Sequence, residues 1–220
     1  MLAGELINPG IKPLRPSDSV QKALDRMAEF RLAHLPLVNG QQFMGLVSDE
    51  SLIDIADHTR FLKELETTLL NFSIQAEQHV YELLKLVGEH QLDGVAVINQ
   101  DKNYLGFVTQ KDIIASLSTL TSVKEPGSIM VLSISNRDNS LAHIAQIVES
   151  DHAEILSSYV RSFPDSTRME ITLKLNRTDI SSIIAAFERY NYTVAAIFND
   201  GRLDQDNSDR YDQLMNYLDL

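Results

Sequence analysis

Thr109 and Asp112 are the pair whose types and spacing could do chemistry, in the stretch "GFVTQKDIIASL" that starts at Gly106. At the end of a strand that opens a helix, a threonine hydroxyl and the first helical N–H groups can hold a phosphate. A carboxylate three positions on can accept two hydrogen bonds from a ribose diol. The same two residues also serve a helix with no ligand, Thr109 as its cap and Asp112 as a complement to its dipole. Both readings stand on the sequence. A second stretch, "GLVSDESLIDIA" from Gly45, keeps the hydroxyl as Ser48 but has Ser51 where the carboxylate would be. Asp49 comes two residues early, about 160° away around a helix, and is a poor substitute. If one stretch holds a ligand, it is the one with Asp112.

Other chemistry finds little footing. The 220 residues contain no cysteine, so there are no disulfides, thiol nucleophiles or thiolate metal sites. His58, His79, His90, His143 and His152 have no mutual metal-ligand spacing, and no metal site is expected. No Gly-x-Ser-x-Gly elbow, P-loop or dinucleotide fingerprint occurs. Glu64 and Glu66 fall on a polar face, without the burial that tunes a carboxylate for acid–base work. The expectation is a protein that is not an enzyme. A net charge of -12 argues against nucleic acid as a partner. Asp204, Asp206, Asp209, Asp212 and Asp219 read as a solvated acidic tail. No apolar run reaches the roughly 20 residues of a membrane span, and "MLAGELINPGIKP" lacks a secretory pattern. These features set the expectation of a cytoplasmic protein with no membrane partner.

The elements that must position the pair come from an internal repeat. A shift of about 60 residues aligns "SDSVQKALDRMAEFRLAHLPLV" with "AEQHVYELLKLVGEHQLDGVAVI" and brings Gly45 onto Gly106. Val20, Leu24 and Met27 follow helical spacing, as do Val80, Leu83, Leu84 and Val87. Ser17 stands where an N-cap is expected. Two short strands follow in each copy, "LPLV" to "MGLVS" with an Asn39-Gly40 turn, and "VAVI" to "YLGFVT". A second helix closes each copy, near Glu50 to Ala56 and near Lys111 to Leu117. Phe61, Leu62, Leu65 and Leu69 have helical spacing too, which predicts a connecting helix between the copies.

This twice-given β-α-β-β-α unit resembles the CBS domain, and the pair resembles the tandem CBS (Bateman) module, over roughly residues 5 to 120. The resemblance rests on the repeated Gly-apolar-apolar-Thr/Ser turn, on "AHLPLV" as a His-x-Pro-Val strand entry, and on the repeat period. It implies adenosine nucleotide binding at the positions of Thr109 and Asp112, with Ser48 as the hydroxyl of the first copy. It also implies that Lys12 and Phe72 line the cleft and that His34 borders the nucleotide. For Phe72 and His34, packing in the core is the competing reading.

Past Pro126-Gly127 the pattern changes. "SIMVLSIS" reads as a strand and "SLAHIAQIVES" as a helix with Leu141, Ile144, Ile147 and Val148 on one face. "EILSSYVRSF" is a strand, "RMEITLKL" alternates strictly, a helix runs from Asp179, and "TVAAIF" closes. The order β-α-β-β-α-β is ferredoxin-like. "SISNRDNSLAHIAQIV" is similar to the opening of an ACT domain, with Asn136 for its acidic residue, Asp138 for its proline and Asn139 for its glycine. The fold class expected is therefore α+β (mixed α/β): residues 1–60 a first CBS repeat with its lead-in, 61–124 a connecting helix and second repeat, 127–200 an ACT-like domain, and 201–220 an acidic, partly helical tail.

A CBS pair followed by an ACT-like domain looks like the small regulatory proteins of the acetoin-utilisation type. The resemblance implies a ligand-sensing regulator that takes AMP, ADP, ATP or S-adenosylmethionine, requires no cofactor, forms a homodimer and acts on a regulated enzyme partner. Two alternatives stay open: a homodimeric adaptor with degenerate sites, and an amino-acid sensor acting near Asn136 and Asn139.

Overall fold

The computed structural model describes residues 1–65, 69–135, 140–164 and 166–199. The chain divides into two compact units, Met1–Leu117 and Ser118–Leu220.

In the first unit, α1 (Val20–Phe30) buries Val20, Ala23 and Met27. Its cap is Ser19, whose side chain accepts from Lys22 N–H at 3.2 Å, two residues later than the expected Ser17. The antiparallel hairpin β1 (His34–Asn39) and β2 (Gln42–Ser48) follows, then the single-turn helix α2 (Glu50–Ile53). The second copy has a leading strand β3 (Ser73–Gln75), then α3 (Val80–His90), β4 (Gly94–Ile98), β5 (Tyr104–Thr109) and α4 (Gln110–Leu120). β3 runs parallel to β4, and β4 antiparallel to β5. In the first copy the leading strand shrinks to one parallel bridge, Leu14 to Leu37. Helices α1 and α3 end alike, on Arg31 (φ 56°) and Gln91 (φ 52°).

Among the described residues, the expected connecting helix does not form. Among the described residues of this stretch there is only a 3-10 turn, Leu62–Glu64. The backbone has other partners: Gln21 N–H donates to His58 O at 3.0 Å, Val20 N–H to Arg60 O at 3.0 Å, and Leu62 N–H to Asp18 O at 2.9 Å. Leu62, Leu65 and Leu69 pack into the first-copy core. Helical spacing is ambiguous over so short an apolar run, and tertiary pairing decided it. Glu64 is in that turn, and Glu66 lies outside the described residues.

The lead-in segments cross between copies. Asn8 N–H donates to Phe107 O at 2.9 Å, and Leu70 pairs with Leu46 through bonds of 2.8 and 3.0 Å. This crossing explains the repeated glycine. A Cβ on Gly106 would lie 2.2 Å from Ile7 Cγ2, and one on Gly45 would lie 2.7 Å from Leu69 Cβ. Real atoms cannot approach so closely, so each motif glycine makes room for the lead-in of the other copy. One core gathers Leu14, Val20, Ala23, Leu35, Val47 and Leu52, and another gathers Ala3, Ile74, Val80, Leu83, Val95 and Val108. Leu46, Ala96 and Phe107 join the copies.

The second unit contains β6 (Ser128–Ser135), α5 (Leu141–Ser150), β7 (Ile155–Ser162), β8 (Arg168–Leu175), α6 (Ser181–Arg189) and β9 (Thr193–Asn199). The antiparallel sheet has the order β7-β8-β6-β9. Met130, Leu132, Ile171, Leu173 and Leu175 pack against Ile144, Ile147, Val148, Ile183 and Phe187. The alternation in β8 thus puts one face of the sheet under both helices. Leu141 departs from its expected inward place and is 50% exposed in the first turn of α5. Asn136, Asn139 and the tail 201–220 lie outside the described residues. Among the described residues, no helix is long and apolar enough to cross a membrane.

Candidate ligand site at the start of the fourth helix

Thr109 ends β5 and is buried, and α4 begins at the next residue. Its hydroxyl donates to Asp112 Oδ2 at 2.6 Å and its N–H donates to the same oxygen at 2.9 Å. In return Asp112 N–H donates to Thr109 Oγ1 at 3.3 Å. This reciprocal pair is a capping box, so the helix-capping reading is realised in the structure. It also holds the carboxylate in one orientation at a helix N-terminus, where negative charge is favoured.

Asn8, which the sequence analysis did not single out, completes the site. Its Nδ2 lies 3.2 Å from both Oδ1 and Oδ2 of Asp112, while its Oδ1 accepts from Gly10 N–H at 2.9 Å. It stands 104 residues from Asp112, and no local signal in the sequence joins the two. The first copy has a different arrangement. Ser51 N–H donates to Ser48 Oγ at 3.3 Å and Ser51 Oγ–H to Ser48 O at 2.7 Å. Asp49 accepts from Glu50 N–H. Leu70 holds the backbone place that Asn8 holds in the second copy.

The remaining expected residues do not join this group by any hydrogen bond described. His34 Nδ1 lies 2.9 Å from Asp93 Oδ1, and Asp93 Oδ2 accepts from the N–H groups of Ala33 and His34. A hydrogen on Nδ1 is the assignment this acceptor requires. The Asp93 hydrogen bond raises the His34 pKa above its ordinary value against the opposing effect of burial, with further help from the Asp93 and Asp49 charges. Phe72 packs against the cores of the unit, with its ring 4.2 Å from that of His90. Lys12 is exposed, and its carbonyl accepts from Arg26 Nη2 at 2.9 Å. Tyr104 hydroxyl is buried with no hydrogen-bond partner, and burial pushes its pKa well above the ordinary value. Among the described residues, no cluster of three His, Asp or Glu side chains could hold a metal ion.

The second unit has a cavity of about 490 Å³ lined by Ser133, Ile134, His143, Tyr190, Asn191, Tyr192 and Thr193. There His143 Nδ1 lies 2.9 Å from Tyr192 hydroxyl.

Two similar α/β units whose lead-ins cross from one to the other define a tandem repeat architecture. The chain belongs to the CBS domain family, whose model matches residues 3–58 and 66–119, together half of the sequence. The matches end at residue 119, before the four-stranded sheet. Over 153 residues the chain is 27% identical to a 33.4 kDa protein of a ribosomal RNA operon in Thermofilum pendens; this covers 60% of the chain and 51% of that protein. The chain therefore spans about half the length of that relative. A CBS domain pair/ACT domain protein from Thermotoga maritima aligns with a TM-score of 0.49 at 22% identity, covering 54% of this chain and 98% of that one. CBSX2 from Arabidopsis thaliana in complex with AMP aligns with a TM-score of 0.47 at 18% identity, covering 54% and 96%.

Proposed function

We propose that this protein is a non-catalytic, ligand-sensing regulator whose CBS pair binds an adenosine nucleotide in the second copy. The observation that carries this reading is the Asp112 carboxylate, fixed by Thr109 at the opening of α4 and replaced by Ser51 in the first copy. Asp112 takes the ribose hydroxyls, while Thr109 and the first N–H groups of α4 face the phosphate. Binding that favours one arrangement of the two copies shifts the protein toward it, and this shift is the signal. The second unit is an ACT-like domain in this reading; it receives the signal, pairs the protein as a homodimer and passes the change to an enzyme partner.

Isothermal titration with AMP, ADP, ATP and S-adenosylmethionine tests the reading. Asp112→Ala abolishes the binding seen, and Ser51→Ala leaves it nearly unchanged. No heat with any of the four at millimolar ligand rejects it. Two observations favour the adaptor alternative: Asp112 already has protein donors on both oxygens, and the Phe72 ring is already packed against the His90 ring. An adaptor binds none of the four and stays dimeric at nanomolar concentration by light scattering. The cavity beside His143 gives amino-acid sensing its own test, a thermal shift against a panel of amino acids.

A further inference from the structure

We infer that Asn8 is an internal stand-in for the ligand: its side-chain amide occupies both oxygens of Asp112, and a vicinal diol exchanges with it on binding. This rests on the reading of Thr109 and Asp112 as the nucleotide site.

One nitrogen serves both carboxylate oxygens, at 3.2 Å each. The two oxygens are too close together for the two N–H bonds to take one each, so a single N–H points between them as a bifurcated donor, whereas a vicinal diol offers one O–H to each. The diol satisfies the same pair of acceptors more fully. The amide cannot answer by turning over, because Gly10 N–H holds Oδ1 and a flip would set donor against donor. The backbone is pinned as well, through Asn8 N–H to Phe107 O and the contact of Ile7 with Gly106. The cap itself does not need Asn8, since Thr109 and Asp112 close it by themselves.

The first copy is a built-in control. Leu70 donates its N–H to Leu46 O at 3.0 Å just as Asn8 donates to Phe107 O at 2.9 Å, which puts Leu70 at the matching place. Ser48 and Ser51 complete their own hydrogen bonds there. The side-chain amide therefore accompanies the carboxylate and is absent where the carboxylate is absent. Asn8 belongs to the lead-in of the first copy, so the exchange removes that segment's side-chain tie to the second copy while its backbone ties stay in place. Ligand occupancy is converted in this way into a change in how the copies hold each other.

The test titrates AMP into full-length wild type and Asn8→Ala, and follows the Asn8 side-chain NH₂ resonances of the wild type by NMR. Removing the competitor makes AMP bind about three- to tenfold tighter to Asn8→Ala, the net worth of one hydrogen bond in a half-exposed site. In the wild type, AMP speeds the exchange of the Asn8 NH₂ protons with water. Equal or weaker AMP affinity in Asn8→Ala, or NH₂ signals that AMP leaves unchanged, overturns the exchange while the nucleotide reading stands. No AMP binding to either protein overturns both. The NMR arm needs only the wild-type chain, so it decides the matter even if Asn8→Ala folds poorly.

Discussion

Asp93→Ala should weaken the first unit by about 3 kcal/mol, because one carboxylate of the second copy holds three donors of the first. His34 Nδ1 lies 2.9 Å from Oδ1, the Ala33 N–H is on Oδ2, and the His34 N–H reaches Oδ2 at 3.3 Å. The His34 and Asp93 side chains are only 16% and 22% exposed, so water replaces these bonds poorly. Two good bonds to a charged acceptor at about 1 to 1.5 kcal/mol each, plus a weaker third, give that total. With a urea dependence of about 1–3 kcal/mol per molar, the unfolding midpoint of the unit falls by about 1–3 M. Asp93→Asn keeps one acceptor oxygen and should lose about half as much. Urea titration of the full chain, with amide exchange on peptides spanning β1 and β4, assigns the loss to this unit. A midpoint change under about 0.3 M for Asp93→Ala, or equal losses for Ala and Asn, refutes the reasoning. The pH dependence follows from His34, whose pKa is raised in the folded state by the Asp93 hydrogen bond. The stabilisation is therefore complete below the unfolded value of about 6.5 and is lost as pH rises through the folded value above it. The advantage of wild type over His34→Gln should be larger at about pH 6 than at about pH 8.5.

Gly106→Ala should cost about 2–3 kcal/mol, since its Cβ would meet Ile7 Cγ2 at 2.2 Å. Adding Ile7→Ala should recover part of that loss, and a double-mutant cycle with no coupling would refute the crossing of the lead-ins. Tyr104→Phe should be neutral or stabilising by up to about 1 kcal/mol, because the hydroxyl it removes is buried and unpartnered. A loss above about 1 kcal/mol by thermal or urea unfolding would mean that the hydroxyl has a partner.

Much of the architecture was legible from spacing. The alternation in "RMEITLKL" placed Ile171, Leu173 and Leu175 on the helix-covered face of β8, where they lie. The repeat carried the paired strands and both major helices of the CBS copies. The stretch from Phe61 to Leu69 misled, because its apolar spacing fits a helix while the N–H groups of Leu62 and Lys63 are taken by Asp18 and Pro16, just before α1. Ser17 misled for a smaller reason: Ser17 and Ser19 are both good caps, and only the start of α1 at Val20 selects Ser19.

By itself the sequence determined the two CBS copies, the ferredoxin-like order that follows, and the asymmetry of Asp112 against Ser51. These rest on periodicity and local chemistry, which are written within a few residues of each position. Only the tertiary structure decided what surrounds that carboxylate. Asn8 meets Asp112 because a lead-in crosses from one copy to the other, and Asp93 meets His34 for the same kind of reason. Contacts between residues far apart in the chain follow from packing, and no spacing rule within either repeat specifies them.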